Sequence, residues 1–209
     1  MLIKMIEAAA RKIEANEAYL NELDAVMGDG EHGSNMKKCF EAVREALPAW
    51  EGQPEAQILK NAGMKLLTAG GGTATTLLGF FTVKAAGCVQ ERENLKQNPD
   101  TKEIAAILNA ALEATQEKSK AQPGDKTMMD AMIPAVKAFD QAAGEGCTVE
   151  EALRACAEAA AEGMEATKQM VAKRGRGFYV GERGVGTPDP GAVSVALITS
   201  AFSEYFRIF

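Results

Sequence analysis

Basic residues are in deficit: 23 Lys and Arg stand against 29 Asp and Glu, a net charge of -6. Such a surface is a poor partner for nucleic acid, because neutralising a phosphate backbone needs a basic face. Long apolar runs are missing as well. No window approaches the about 18 to 20 apolar residues that cross a bilayer, which excludes a transmembrane helix. The opening MLIKMIEAAARKIEANE mixes acids and bases among its apolar positions and lacks the uninterrupted apolar centre of a secretory signal. Four cysteines, Cys39, Cys88, Cys147 and Cys156, form no CxxC pair, so a thiolate zinc site and a secreted disulfide framework both fit badly. The single histidine, His32, excludes a metal centre built on several imidazoles. Together these absences predict a reduced, cytoplasmic enzyme or binding domain. Apolar residues make up 46% of the 209, enough to bury a proper core.

Helical periodicity dominates what is there. Leu2, Met5, Ile6, Ala9, Ile13 and Leu20 recur at three- and four-residue intervals and predict a helix over 1–20. Similar patterns predict helices over 35–47, 55–69, 74–91, 101–118, 127–143, 148–172 and 190–207, about eight in all. Thr148 with Glu151, and Thr127 with Asp130, have the spacing of a capping box. Strand signals are weak, since Val193, Val195 and Ile198 read equally well as buried helix. The expectation is an all-α fold. No linker, repeat or low-complexity stretch divides residues 1–209, so one domain is expected; 92–100 (RENLKQNPD) reads as a polar turn.

Four loops break the helical pattern: DAVMGDGEHG at 24–33, TAGGGT at 68–73, AQPGDKT at 121–127 and RGRGFYVGERGVGTPDPG at 174–191. Glycine lets a ligand approach the main chain closely, and glycine-rich loops around a helical scaffold suggest a site. In the first loop Asp24, Asp29 and Glu31 repel one another unless cations compensate. Hard divalent ions such as magnesium prefer oxygen ligands and often complete their shell with phosphates. A solvated acidic turn before a helix is the alternative. His32 lies in the same loop beside Asn35, placed either to hydrogen-bond a phosphate or to tether the loop. Gly70, Gly71, Gly72 and Thr73 feed a helix start, offering free N–H groups to an anion; a tight turn between helices explains them equally. Neither the Walker A spacing nor GxGxxG after a strand is present. Arg174, Arg176 and Arg183 share the last loop with Asp189, and guanidinium groups clamp phosphate oxygens bidentately. Asp125, Lys126 and Thr127 follow a Pro-Gly turn, and Met128 and Met129 either cover a flat apolar ring or belong to the core.

Taken together and in order, LDAVMGDGEHGSNM (23–36), TAGGGTATTLLGFF (68–81), PGDKTMMDAMIPA (123–135) and RGRGFYVGERGVGTPDPGAVS (174–194) resemble the nucleotide-binding L subunits of dihydroxyacetone kinases over essentially the whole chain. The resemblance implies eight antiparallel helices closing into a barrel, with nucleotide bound in loops at one end. It implies that Asp24, Asp29 and Glu31 hold two magnesium ions against the phosphates of ADP or ATP. His32 and Asn35 match positions near those phosphates, and Gly71, Gly72, Thr73 and Ala74 match the phosphate-contacting turn. Gly124, Met129, Asp189, Pro190 and Gly191 match the purine and ribose pocket. Arg176 matches an arginine that stabilises charge on the transferred group.

Two positions depart from the family pattern. Glu31 stands where the family has a third Asp, and Ala74-Thr75 stands where it often has Ser-Gly. In the family the triose is held by a histidine of a separate K subunit or domain, and no second domain is expected here. The resemblance therefore implies half of a kinase, working as a homodimer or heterotetramer with a K subunit. Its phosphate would come from ATP or from a phosphotransferase-system M subunit. A nucleotide-loaded regulatory protein without transfer activity is the alternative, with Glu31 and Ala74 as the features that favour it. Neither nucleic acid nor a membrane is expected as a partner.

Overall fold

The structure, a computed structural model, describes residues 1–91 and 99–207. Among them there are nine α-helices and no strand: α1 (Leu2–Ala15), α2 (Glu17–Met27), α3 (His32–Ala46), α4 (Glu55–Thr68), α5 (Thr73–Glu91), α6 (Thr101–Ser119), α7 (Met129–Gly144), α8 (Val149–Ala166) and α9 (Pro190–Arg207). The all-α expectation holds. None of these helices is long and apolar enough to cross a membrane.

The helix expected over 1–20 is two helices. Asn16 breaks it: its backbone leaves helical geometry (φ -107°, ψ 13°) and its Nδ2 donates to the Lys12 carbonyl at 2.7 Å. A short amide side chain that competes for main-chain partners is a physical reason for such a break. Helix α2 then runs to Met27 and puts Asp24 on its last turn, while α3 starts at His32, earlier than expected. Helix α8 stops at Ala166, short of the expected 172. There the Thr167 hydroxyl donates to the Met164 carbonyl and accepts the Asp189 N–H, and the chain tightens into a 3-10 turn over Thr167–Gln169.

The capping box at Thr148 and Glu151 is present. A second one, at Asp100 and Glu103, starts α6; of the polar turn expected over 92–100, residues 92–98 lie outside the described residues. The box expected at Thr127 and Asp130 is only half made. The Asp130 carboxylate accepts the Thr127 N–H, but the Thr127 hydroxyl takes the N–H of Met129 rather than that of Asp130.

Packing runs in a cycle. Helix α1 lies on α3, α3 on α4, and each later helix on the next through α9, which packs back on α1; α2 sits over α3 and α9. Ile13, Leu20, Met36, Val43, Met129 and Phe139 are the largest fully buried side chains apart from a few polar ones. Small residues bring neighbouring helices close. A Cβ at Gly63 would lie 2.9 Å from the Gly79 carbonyl oxygen, and one at Gly79 would lie 2.9 Å from that of Gly63, so α4 and α5 meet backbone to backbone. On the other side, Pro134 within α7 has no N–H to give the Asp130 carbonyl, and α8 passes over that carbonyl at Gly163, where a Cβ would come within 2.2 Å of the oxygen. This contact sets the height of Asp130, which anchors one wall of the site.

Candidate functional site

The four glycine-rich loops meet around one cavity of about 620 Å³. Its wall includes Asp24, Asp29, Glu31, His32 and Asn35 from the α2–α3 turn, and Gly71, Gly72, Thr73 and Ala74 from the start of α5. Met129, Asp189, Pro190 and Gly191 come from the starts of α7 and α9, and Arg176 from the long loop. Gly124 is the exception among the expected residues. It does not line the cavity; its N–H is bound by Asp130 Oδ1, so it shapes the turn behind the wall. Lys126 and Arg174, singled out in their loops by the sequence, line it as well, together with Met27, Ser119, Ala121 and Ala172, which were not. The last four are apolar or small residues with no chemical signal of their own.

The acidic wall is built by the α2–α3 turn. From the last turn of α2, Asp24 Oδ2 accepts the N–H groups of Glu31 and His32 at 3.0 and 3.2 Å, and so caps the first turn of α3 from outside it. Gly28 makes that placement possible, since a Cβ there would lie 2.3 Å from Asp24 Oδ1. Asp29 is paired with Arg176. Among the described residues neither Asp24 nor Glu31 has a Lys or Arg at ion-pair distance. His32 is committed. Its Nε2 lies 2.8 Å from Ser194 Oγ, and the Ser194 hydroxyl donates to the Pro190 carbonyl. Burial holds the imidazole below its ordinary pKa, against the pull of Asp24 and a hydrogen bond at Pro190.

Opposite lies the start of α5. The Thr75 hydroxyl donates to the carbonyls of Gly71 and Gly72 at 2.9 and 3.0 Å, which ties the glycine loop to the helix whose first residues line the cavity. Gly72 has φ +96°, a left-handed conformation that suits glycine. Met128 and Met129 are both buried, at 4% and 0% exposure, and form an apolar floor.

On the third wall Arg174 and Asp189 line the cavity, with Asp125 outside the lining. Burial opposes ionisation of Asp125, but the Gln122 N–H and the Arg174 guanidinium, 2.6 Å away, hold its carboxyl below the usual range. Asp189 accepts the Ala192 N–H and caps α9. Burial pushes its pKa up to about 7, Asp130 adding to the rise and Lys126 opposing it.

The donor set suits a hard divalent cation: three carboxylates on one wall, with Gly28 leaving room for one of them. Among the described residues no three His, Cys, Asp or Glu side chains already converge on a point. Magnesium does not need that, because it is commonly held by one or two carboxylates with phosphates and waters completing its shell.

The profile of the DAK2 domain matches residues 26–204. The ADP-binding subunit DhaL of the PEP-dependent dihydroxyacetone kinase of Escherichia coli (strain K12) is 38% identical over 177 residues, covering 85% of this chain and 82% of that one. The L-erythrulose 1-kinase of Mycolicibacterium smegmatis is 35% identical over 212 residues, covering 98% of this chain but only 35% of the relative. The chain thus spans about a third of that longer protein. The crystal structure of the dihydroxyacetone kinase from C. freundii in complex with AMP-PNP and Mg2+ superposes with a TM-score of 0.76 at 24% identity, over 97% of this chain and 33% of that one. At that identity the likeness establishes the fold.

Proposed function

The chain belongs to the DAK2 domain family, and from that premise we propose that it is the nucleotide-binding subunit of a dihydroxyacetone-type kinase. It transfers a phosphoryl group to dihydroxyacetone or a similar small keto-sugar held by a separate K subunit. The observation that carries this reading is the meeting of an acidic loop, a glycine-rich helix start and an arginine loop around one cavity.

Phosphoryl transfer needs positioning and charge neutralisation more than covalent chemistry. Thr73 and Ala74 line the cavity at the first turn of α5, and N–H groups at a helix start suit phosphate oxygens. Asp24, Asp29 and Glu31 hold two magnesium ions, which neutralise phosphate charge when bound. Asn35 and the His32 loop border the phosphates. Met129 gives an apolar seat for the purine, and Asp189, Pro190 and Gly191 border the ribose, with Gly124 shaping the turn behind them. Arg176 is the catalytic residue, stabilising charge on the transferred group. Ala74 lacks the hydroxyl of the usual serine; the Thr75 hydroxyl is engaged by Gly71 and Gly72, which leaves Thr73 as the replacement.

A substrate-binding partner is part of this reading. In the family the keto-sugar is held by a histidine, and the one histidine here is engaged by Ser194 at the phosphate end of the cavity. The aromatic side chains of Phe178 and Tyr179, exposed by 58% and 85%, stand two and three residues beyond Arg176 and suit a docked protein. The phosphate donor is ATP exchanging in the site, or an M subunit that rephosphorylates bound ADP. The reading places the subunit in the cytoplasm, in a homodimer or heterotetramer.

Two measurements test it. Mass spectrometry of the purified protein should detect retained ADP or ATP, and Asp29→Ala should abolish magnesium-dependent nucleotide retention with helicity unchanged. Mixed with a K subunit, dihydroxyacetone and either ATP or the phosphorelay components, the protein should yield triose phosphate. Nucleotide retention without triose phosphate would identify a regulatory protein of the same fold instead.

A further inference from the structure

Lys126 lines the cavity, yet its ammonium is spent elsewhere. The side chain is 3% exposed, and Nζ donates to the carbonyls of Met170 (3.2 Å), Gly184 (2.7 Å) and Thr187 (2.8 Å). An ammonium has three N–H groups and no acceptor. Three carbonyls therefore saturate it, and none of its hydrogens is left for a phosphate.

All three acceptors belong to the segment that carries the arginines. Met170 opens that segment, and Gly184 and Thr187 close it, so one cation draws both ends of the loop to the start of α7. The adjoining ties reinforce this neck. The Lys173 N–H donates to the Asp125 carbonyl at 3.0 Å, Arg174 Nε to Asp125 Oδ2 at 2.6 Å, and the Gly186 N–H to the Lys168 carbonyl at 2.7 Å. Lys126 itself has φ +59°, a left-handed backbone that a non-glycine residue keeps when its surroundings over-determine it. Beyond the neck the loop is mostly exposed, with Arg174, Arg176 and Arg183 all at the surface.

We propose that Lys126 is a positioning residue, whose ammonium clamps the neck of the 170–187 loop and thereby fixes where Arg174 and Arg176 meet the cavity. Its catalytic consequence rests on the kinase reading above, in which Arg176 acts on the transferred group. The clamp itself does not.

The experiment compares wild type, Lys126→Met and Lys126→Arg, each checked for helicity by circular dichroism. Limited trypsinolysis without nucleotide, mapped by mass spectrometry, should show cleavage at 173–183 at least tenfold faster in Lys126→Met and unchanged elsewhere, because proteolysis follows local opening. Lys126→Arg, which keeps a cation with several donors, should return protection to within threefold of wild type. Equal cleavage in wild type and Lys126→Met overturns the clamp. Should Lys126→Met lose its helicity, hydrogen exchange on wild type decides: the amides of Lys173 and Gly186 should be protected to a similar degree, and free exchange at Gly186 overturns the proposal. With a K subunit and dihydroxyacetone, Lys126→Met should lose at least tenfold in kcat while affinity for ADP with magnesium stays within threefold, and Lys126→Arg should recover most of the rate. Equal losses in rate and affinity overturn the positioning role. If wild type itself transfers no phosphoryl group, the kinase reading fails, and cleavage and exchange still judge the clamp.

Discussion

Arg176 and Asp29 are ion-paired across the cavity, Nη1 to Oδ2, so the proposed charge-stabilising arginine and a proposed metal-binding carboxylate occupy each other. Both are substantially exposed, with side chains 67% and 39% accessible. A pair in that setting contributes about 0 to 1 kcal/mol, little enough for a divalent cation to displace the guanidinium. Removing Arg176 should then make Asp29 easier to recruit. Arg176→Ala is expected to tighten magnesium binding by up to about fivefold, the factor that corresponds to 1 kcal/mol, as measured by calorimetry. The same change should lower turnover with a K subunit far more than it lowers nucleotide affinity. Magnesium binding that is weaker in the variant would show that the two side chains do not compete.

Gly28 tests the acidic wall without removing a charge. A methyl group there would lie 2.3 Å from Asp24 Oδ1 and 2.9 Å from its carboxyl carbon, so the Asp24 side chain must move. Asp24 holds the N–H groups of Glu31 and His32, and its displacement should disturb the whole turn. Gly28→Ala should therefore weaken magnesium-dependent ADP retention at least tenfold with unchanged helicity. Retention equal to wild type, measured by equilibrium dialysis, would remove Asp24 from the binding site.

The four loop motifs were legible because glycine, acid and arginine cluster within a few residues, and the fold brings those clusters to one cavity. The helices were legible from their apolar stripes. What escaped has physical causes. The break at Asn16 depends on one amide reaching the Lys12 carbonyl, while Leu20 beyond it stays buried and keeps the stripe intact. The Asp100–Glu103 box straddles the boundary between the stretch that reads as polar turn and the helix expected from 101. Lys126 stood out in its turn, but what its ammonium holds could not be read. Its partners are main-chain carbonyls 44, 58 and 61 residues away, and a carbonyl has no residue identity. Gly124 matched its motif, but its role is to give an N–H to Asp130 behind the wall.

Gly163 links packing to the site. Its missing Cβ lets α8 lie on the Asp130 carbonyl, and the Asp130 carboxylate ties down Gly124 and Thr127. A backbone oxygen cannot rotate away as a side chain can, so Gly163→Ala should push α8 from α7. Overpacking of this kind costs about 1 to 3 kcal/mol, readable as a lower midpoint in urea with an unchanged slope. A variant as stable as wild type would mean that the two helices separate freely at this level.

Asp189 gives the stability curve a pH signature. Burial raises its pKa from 3.8 to about 7 in the folded protein. Between those values the native state holds a proton that the unfolded chain has released, so unfolding becomes easier as pH rises. The contribution is fully present below pH about 4 and is lost as pH climbs through about 7. The whole interval corresponds to about 4 kcal/mol as an upper bound. Asp125, whose folded pKa is lowered, contributes in the opposite sense, its stabilisation being lost as pH falls below the ordinary carboxylate range. The informative quantity is therefore the difference between wild type and Asp189→Asn, which still offers an oxygen to the Ala192 N–H. That difference, from urea unfolding at pH 4.5, 6 and 7.5, should move steadily in favour of the asparagine variant. A difference independent of pH would mean that Asp189 ionises normally at its place beside the α9 start.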